Sequence, residues 1–180
     1  MLPKRFMFDT NVFNRILDGQ LSIEPGRGEI IAYATHIQRD EINNTKNPNR
    51  RARLLKVFHE EIIDSEPTSS FSLGTSRLDE ARLAGDRVLP TSSAAWDTSR
   101  WDQASWGDED NIFESMKGEL DTLNRGKKNN VQDILIAETA LKKGLTLVTD
   151  DSHLRTVIMK FGGLALSVAE FASLDPEGAT

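Results

Sequence analysis

Four acidic residues stand where predicted strands end or predicted helices begin. Asp9 directly follows an apolar run, Arg5 to Phe8, that is typical of a buried strand. Glu41 lies early in the helix after the second strand, Asp133 lies in the first turn of a later helix, and Asp151 follows the strand after that helix. Because the carboxyl ends of parallel strands share one edge of a sheet, we expect these four carboxylates to converge there.

The chain length between Asp133 and Asp151 supports this convergence. The helix that contains Asp133 runs about 10 residues at roughly 1.5 Å each, and the following strand returns about 5 residues at roughly 3.3 Å each. Since the two paths nearly cancel, both carboxylates are expected at the same edge. The direction of Glu41 is less closely fixed, because a loop from Thr35 separates it from its strand.

Clustered carboxylates repel one another and raise each other's pKa, so such a cluster is typical of a divalent metal site. Oxygen ligands favour Mg²⁺ or Mn²⁺ over zinc, and the chain has no cysteine to supply thiolates. Each acid taken singly also has a structural explanation. Asp9 and Asp150 could cap helices, and Asp133 could stabilise a helix N-terminus through the dipole.

The elements that must position these acids alternate along the chain. Strands are predicted at 5–8, 29–34, 145–148 and 164–166. Helices are predicted around 12–17, 37–42, 48–63, 110–123, 131–141 and 152–161, with a further helical candidate at 76–84 and a closing helix begun by the capping box Ser167 to Glu170. This alternation predicts an α/β fold, with a parallel sheet covered by helices on both faces.

The length of 180 residues, with 38% apolar residues, predicts a single domain over 1–180. Residues 64–110 are poorer in apolar periodicity and are predicted to be an insertion within it. The insertion contains Trp96, Trp101 and Trp106, which are expected to anchor it to the body or, alternatively, to bind a partner.

The formal net charge of −6 argues against a protein that coats nucleic acid by bulk attraction. Local groups of cationic residues remain candidates for phosphate contact. One group precedes Asp133 and the other begins a helix: Arg125, Lys127 and Lys128, and Arg50, Arg51 and Arg53. The absence of cysteine favours the cytoplasm, and no stretch is apolar and long enough to span a bilayer.

Two groups of motifs resemble those of the PIN-domain nucleases. Phe8 to Val12 is similar to the family's opening motif, and Asp133 to Ala137 followed by Leu145 to Asp151 is similar to its closing pair. The resemblance covers roughly the first 60 and last 70 residues. It implies a three-layer α/β/α sandwich with a short, mainly parallel sheet. It also implies metal ligands at Asp9, Glu41, Asp133 and Asp151, supported by Thr10, Asn11 and Thr149.

By the same resemblance, Asp151 is preferred to Asp150 as a ligand, and Glu41 is preferred to Asp40. The implied activity is metal-dependent hydrolysis of RNA. Many family members are VapC-type toxins, which implies an antitoxin partner and a homodimer. Two alternatives stay open: a nuclease specific for structured DNA or RNA, and a PIN-like binding scaffold that acts through the tryptophan-bearing insertion. The three histidines have no metal-ligand spacing, and none is assigned a role.

Overall fold

A computed structural model describes residues 4–23, 30–62, 64–72, 75–76, 80, 88–89, 112–125 and 130–174 of the chain. Its strands are β1 (Lys4–Phe8), β2 (Ile30–Ala34), β3 (Asp64–Ser65), β4 (Phe71–Ser72), β5 (Val88–Leu89), β6 (Thr146–Val148) and β7 (Leu164–Leu166). Its helices are α1 (Thr10–Leu17), α2 (His36–Asn43), α3 (Pro48–Glu61), α4 (Ile112–Asn124), α5 (Asn130–Lys142), α6 (Ser152–Lys160) and α7 (Val168–Ala172).

Five of the strands form one parallel sheet in the order β3-β2-β1-β6-β7. The central strand β1 pairs with β2 on one side and with β6 on the other, so that Phe8 lies opposite Val148. The carboxyl ends of β1, β2 and β6 therefore lie side by side. A separate two-stranded parallel sheet joins β4 to β5.

Alternation along β1 divides the core into two layers. Phe6 and Phe8 point to the side covered by α1, α3 and α7, and Phe171 of α7 packs edge-on against both rings at 5.0 and 5.3 Å. Met7 points to the other side, among the apolar side chains of α4, α5 and α6. The predicted α/β/α sandwich with a short parallel sheet is confirmed.

The first residues of the predicted insertion are attached to the body of the domain. Asp64 and Ser65 form β3 at the edge of the main sheet, beside Tyr33 and Ala34. Further along, the Ser69 N–H donates to Thr139 of α5 at 3.1 Å, and the Ser70 hydroxyl donates to Glu138 at 2.8 Å. The sheet thus includes the first two residues of the predicted insertion, and the next few lie against α5.

Two other sequence predictions fall mainly outside the described residues. Of the helical candidate at 76–84 only Ser76 and Glu80 are described, and Trp96, Trp101 and Trp106 are not. Within the described part of the chain, no helix has the length and apolar character needed to cross a membrane.

Candidate functional site: an acidic edge at the carboxyl ends of the strands

Asp9 is the centre of the candidate site. It follows the last residue of β1, and its N–H donates to the Val148 carbonyl of β6 at 3.1 Å, which fixes its backbone between the two strands. It is also the N-cap of α1. With 8% of its surface exposed, the side chain turns back into the protein rather than into solvent.

Three donors hold the Asp9 carboxylate. Oδ1 accepts from the Thr10 N–H at 2.7 Å. Oδ2 accepts from Asn11 Nδ2 at 2.6 Å and from the Thr149 hydroxyl at 2.6 Å. An ionised carboxylate has about four acceptor positions, so roughly one remains for a further ligand. Thr10, Asn11 and Thr149 are the donors that hold Asp9, and their role as supporting groups of a metal site stays a prediction.

Glu41 lies beside Asp9 because Thr10 contacts both acids. The Thr10 hydroxyl donates to Oε2 of Glu41, while the Thr10 N–H donates to Asp9. The structure therefore links the start of α1 to Glu41, which lies in the last turn of α2 and not in the early part of the helix, where the sequence predicted it. In the described structure Glu41, rather than Asp40, is the acid of α2 that is linked to Asp9 through Thr10.

Both carboxyl groups are harder to ionise than usual. Burial raises the pKa of Asp9; the bonds from Thr149 and Thr10 partly oppose the change, and the charges of Asp151 and Asp150 add to it. Burial also raises the pKa of Glu41, the bond from Thr10 opposes it, and the charge of Asp9 adds to it. A buried and a partly buried acid that repel each other form a site that a cation would stabilise.

Asp151 and Asp150 separate after the end of β6. Asp151 is the N-cap of α6, and its Oδ1 accepts from the N–H groups of His153 and Leu154 at 2.8 and 3.0 Å. Asp150 turns towards α1, where its Oδ2 pairs with Arg15 at 2.9 Å. The helix cap is therefore Asp151, and the alternative that Asp150 caps this helix is wrong.

Asp133 lies in the first turn of α5, and a series of hydrogen bonds connects the start of that helix to the start of α6. Asn130, the first residue of α5, accepts from Asn124 at 3.2 Å, and Asn124 contacts Nδ1 of His153 at the start of α6. Asn130 in turn donates to the Asp121 carboxylate at 2.6 Å. A carboxylate only accepts, so the Asn130 amide must donate to Asp121 and accept from Asn124. The amide oxygen of Asn124 is then left to accept from His153, which makes Nδ1 of His153 a donor.

The predicted cationic groups lie in different places. Arg125 is exposed and directly follows Asn124, which contacts the start of α6. Lys127 and Lys128 are outside the described residues. Arg50 pairs with Asp18 at 2.8 Å, at the opposite end of α1 from Asp9. Of its two neighbours on α3, Arg51 donates to the Asn43 carbonyl and Arg53 is exposed.

Gln38 is a positioning residue that sequence reasoning missed. It is fully buried, and its Nε2 donates to the Phe8 carbonyl at 2.8 Å, one residue before Asp9. Its Oε1 accepts from the N–H and the hydroxyl of Thr35, completing the capping box of α2. The pattern Thr-x-x-Gln predicts the cap. It carries no sign of the bond to β1, which holds α2, and with it Glu41, against the end of that strand.

Whether these residues fit a divalent cation depends on the donors they offer. In the described part of the chain, no three His, Cys, Asp or Glu side chains lie close enough together to hold a metal ion as a group. Asp9 and Glu41 nevertheless offer two carboxylates with no cationic side chain among the causes of their pKa shifts. This set fits Mg²⁺, which is commonly held by one or two carboxylates with waters and substrate phosphates completing the shell.

Comparison with known proteins gives remote structural likenesses. No family model matches the chain, and no curated protein matches it. The structure of VapBC-5 from Mycobacterium tuberculosis, described as a member of the VapBC family of toxin-antitoxin systems, is 15% identical, with 92% of this chain and 98% of that chain covered and a TM-score of 0.40.

Two further solved structures show the same level of likeness. FitAcB from Neisseria gonorrhoeae is 16% identical, with 91% of this chain and 98% of that chain covered and a TM-score of 0.38. FitAB bound to an IR36 DNA fragment is 16% identical, with 91% and 94% covered and a TM-score of 0.39. At these identities the function of this chain is inferred from its own side chains.

Proposed function

We propose that the chain is a metal-dependent endoribonuclease that hydrolyses RNA phosphodiester bonds at its acidic edge. The observation that supports this most directly is the pair of carboxylates linked through Thr10, with Asp9 buried and Glu41 partly buried. The protein keeps Asp9 buried at the end of a parallel strand, where ligand sites of α/β folds lie, and holds the partly buried Glu41 beside it. Such a site is poorly suited to a purely structural role, because burial disfavours both charges.

Asp9 and Glu41 would hold the cation, Mg²⁺ or Mn²⁺, directly. Asp133 of α5 and Asp151 at the start of α6 would act on it through its bound waters. When bound, such an ion lowers the pKa of a water molecule and stabilises charge on the phosphate oxygens. Asn11 and Thr149 keep Asp9 in a single orientation, so that its remaining acceptor position faces one direction.

The RNA backbone would be held by cationic side chains and by helix N-termini. The caps of α1, α2 and α6 follow the ends of β1, β2 and β6, so three positive helix ends face the acidic edge. Arg125 follows Asn124 near this edge, and we assign phosphate contacts to it together with Lys127 and Lys128. The arginines of α3 would contact only a strand long enough to pass the far end of α1.

The proposal extends to the cellular role. The motif resemblance to PIN-domain nucleases supports a toxin that acts on RNA in the cytoplasm, is inhibited by an antitoxin protein and forms a homodimer. A small open reading frame beside this gene whose product binds the chain and blocks cleavage would support the toxin role. Size-exclusion chromatography with light scattering measures the oligomeric state directly.

Cleavage of a panel of labelled single-stranded RNAs tests the activity. We expect cleavage with Mg²⁺ or Mn²⁺, none with EDTA, and a loss of at least about 100-fold in Asp9→Asn, since the loss of even an outer partner of a ligand costs 10–100-fold. Asp18→Asn is the matched control. Asp18 caps the opposite end of α1 from Asp9, and in the described structure its side chain pairs only with Arg50. Equal cleavage by Asp9→Asn, Asp18→Asn and the EDTA-treated protein would refute the proposal.

Structured DNA and RNA substrates in the same panel separate the RNA proposal from its nearest alternative. Cleavage of hairpin or duplex DNA in preference to single-stranded RNA would identify a structure-specific nuclease that uses the same acids. In that case Asp9→Asn would still abolish activity.

A further inference from the structure

The end of the sheet opposite the acidic edge contains a groove of about 460 Å³. Its walls come from the first residues of β1, from Gly144 and the first residue of β6, from all of β7, from the end of α6 and from Leu174 beyond α7. Strand β7 lies at one margin of the sheet, so the groove opens along the outermost strand. None of the residues assigned to the acidic site lines it.

Two large apolar side chains in the groove are exposed to solvent. Met159 and Leu164, which are 51% and 67% exposed, are the large apolar residues found exposed in the described part of the chain, and both line the groove. An occupant of the groove that covers these two side chains would gain from the burial of apolar surface.

The outer side of β7 also offers backbone hydrogen-bonding groups beside the groove. One side of β7 pairs with β6 over its whole length, and no described strand pairs with the other side. On that side β7 presents the N–H and C=O of Ala165, because those of Leu164 and Leu166 face β6, and such an edge can accept another extended chain. Addition of a peptide strand to such an edge combines main-chain hydrogen bonds with pockets for alternate side chains.

The positive charge on the rim of the groove favours an occupant with acidic side chains. Lys4 and Arg5 are exposed and line the groove, although the whole chain has a formal net charge of −6. Arg5 donates to the Lys143 carbonyl at 3.4 Å, and Lys4 forms no ion pair within the described residues. A local cationic rim on an acidic protein complements acidic side chains on the occupant.

We propose that this groove binds an extended segment of a partner protein, which adds as a strand to β7. Its apolar side chains lie against Met159 and Leu164, and its acidic side chains lie near Lys4 and Arg5. The acidic edge takes no part in this binding, so the interaction is independent of nuclease activity.

The test selects short random peptides displayed on phage for binding to the whole chain, with Leu164→Glu as the counter-target. We expect enriched peptides in which apolar residues alternate with other residues and acidic residues are over-represented. A peptide synthesised from the selection should bind at least about tenfold more weakly to Leu164→Glu and to the double variant Lys4→Glu, Arg5→Glu.

Matched variants separate the groove from general effects of charge. Ala52→Glu places the same acid on an exposed position of α3, and the pair Lys46→Glu, Lys56→Glu makes the same change in net charge outside the groove. Both should bind the peptide like the wild type. Amide hydrogen exchange of the wild-type chain provides a second measurement, since the peptide should slow exchange in β7.

Three results would overturn the proposal. The first is a selection that enriches nothing over Leu164→Glu, or peptides that bind without slowing exchange in β7. The second is peptide binding only after removal of residues 175–180, which would make the chain's own last residues the occupant. The third is a wild-type dimer that dissociates in Leu164→Glu, which would make a second copy the occupant.

Discussion

The Thr149 hydroxyl donates a 2.6 Å hydrogen bond to Oδ2 of Asp9, across 140 positions of the sequence. The same oxygen of Thr149 accepts from Asn11 Nδ2 at 3.1 Å and from the Asp151 N–H at 3.0 Å. One buried hydroxyl thus connects the end of β1 to the end of β6 and to the cap of α6. The position of Asp9 relative to Asp151 depends on this group.

Thr149→Val should destabilise the protein, because it keeps the shape of the side chain and removes the hydroxyl. The Asp9 carboxylate loses a donor and the Asp151 N–H loses its acceptor, which costs about 1–3 kcal/mol for buried groups. Thr122→Val is the control, since the exposed Thr122 donates only to the Gly118 carbonyl of its own helix. Urea denaturation of both variants measures the difference; equal stability would contradict the assigned role of Thr149.

The pH dependence of stability should change in Glu41→Gln. A carboxyl whose pKa is raised on folding contributes its full stability below its unfolded pKa, and that contribution is lost as the pH rises through the folded pKa. For Glu41 the loss begins above its ordinary value of 4.5. In EDTA, the Tm of Glu41→Gln should therefore match the wild type near that pH and exceed it at neutral pH, by about 2–4 °C if the difference reaches ~1 kcal/mol.

Two comparisons make the pH experiment specific. Glu119→Gln removes a carboxylate of α4 that pairs with Lys160 at 2.8 Å, and its Tm should not exceed that of the wild type at neutral pH. Added Mg²⁺ should raise the Tm of the wild type more than that of Glu41→Gln. A difference for Glu41→Gln that shrinks as the pH rises would show that Glu41 is stabilised as a charge.

Gln38→Met should destabilise the protein, although it places an apolar side chain of similar size in a buried position. It leaves the Phe8 carbonyl and the Thr35 N–H without their partners, at a cost of about 1–3 kcal/mol for each buried group. Gln132→Met on α5 is the control, because Gln132 is partly exposed, and a change within about 0.5 kcal/mol is expected there. Denaturant titration measures the free energy of unfolding of each variant. If Gln38→Met changed it by less than about 0.5 kcal/mol, Gln38 would not hold α2 to β1.

Local sequence patterns predicted the main elements because each is specified locally. Strand β1 is an apolar run, α3 begins at Pro48, and α7 begins with the capping box of Ser167 and Glu170, all within a residue or two of the prediction. The two-residue strands β3, β4 and β5 were not predicted. They are too short for an alternating pattern and depend on what lies beside them.

The candidate site shows the same division. The position of Asp9 at a strand end, and of Asp133 in a first helical turn, follows from sequence order. The bond from Gln38 to β1 does not, because a glutamine in a capping box has the same sequence pattern whether or not it also contacts a strand. Nor does the opposite orientation of Asp150 and Asp151, which depends on Arg15 of α1.

Gly163 and Gly118 should respond in opposite ways to alanine. A Cβ at Gly163 would lie 2.6 Å from Cγ1 of Ile158 in the tight connection between α6 and β7, so Gly163→Ala should destabilise by about 1–3 kcal/mol. A Cβ at Gly118 meets nothing within 4 Å in α4, and Gly118→Ala should stabilise by about 0.5–1 kcal/mol. Thermal melts of the two variants measure both signs; a stabilising Gly163→Ala would contradict the packing of this connection.

Asp151→Asn and Asp150→Asn compare the contributions of the two neighbouring acids to RNA cleavage. Burial is the main reason that the pKa of Asp9 is raised, and of the two neighbours Asp151 contributes more than Asp150. Asparagine caps a helix nearly as well as aspartate, so Asp151→Asn should keep its Tm while RNA cleavage falls by at least about tenfold.

Asp150→Asn gives the contrasting result on the proposed activity. Its exposed pair with Arg15 contributes no more than about 1 kcal/mol, so the variant should lose little stability and keep most of its cleavage. Cleavage rates at saturating Mg²⁺, measured beside the melting curves, compare the two neighbours directly. If Asp150→Asn lost activity and Asp151→Asn kept it, the acid that serves the site would be the one facing Arg15, and Asp151 would be only a helix cap.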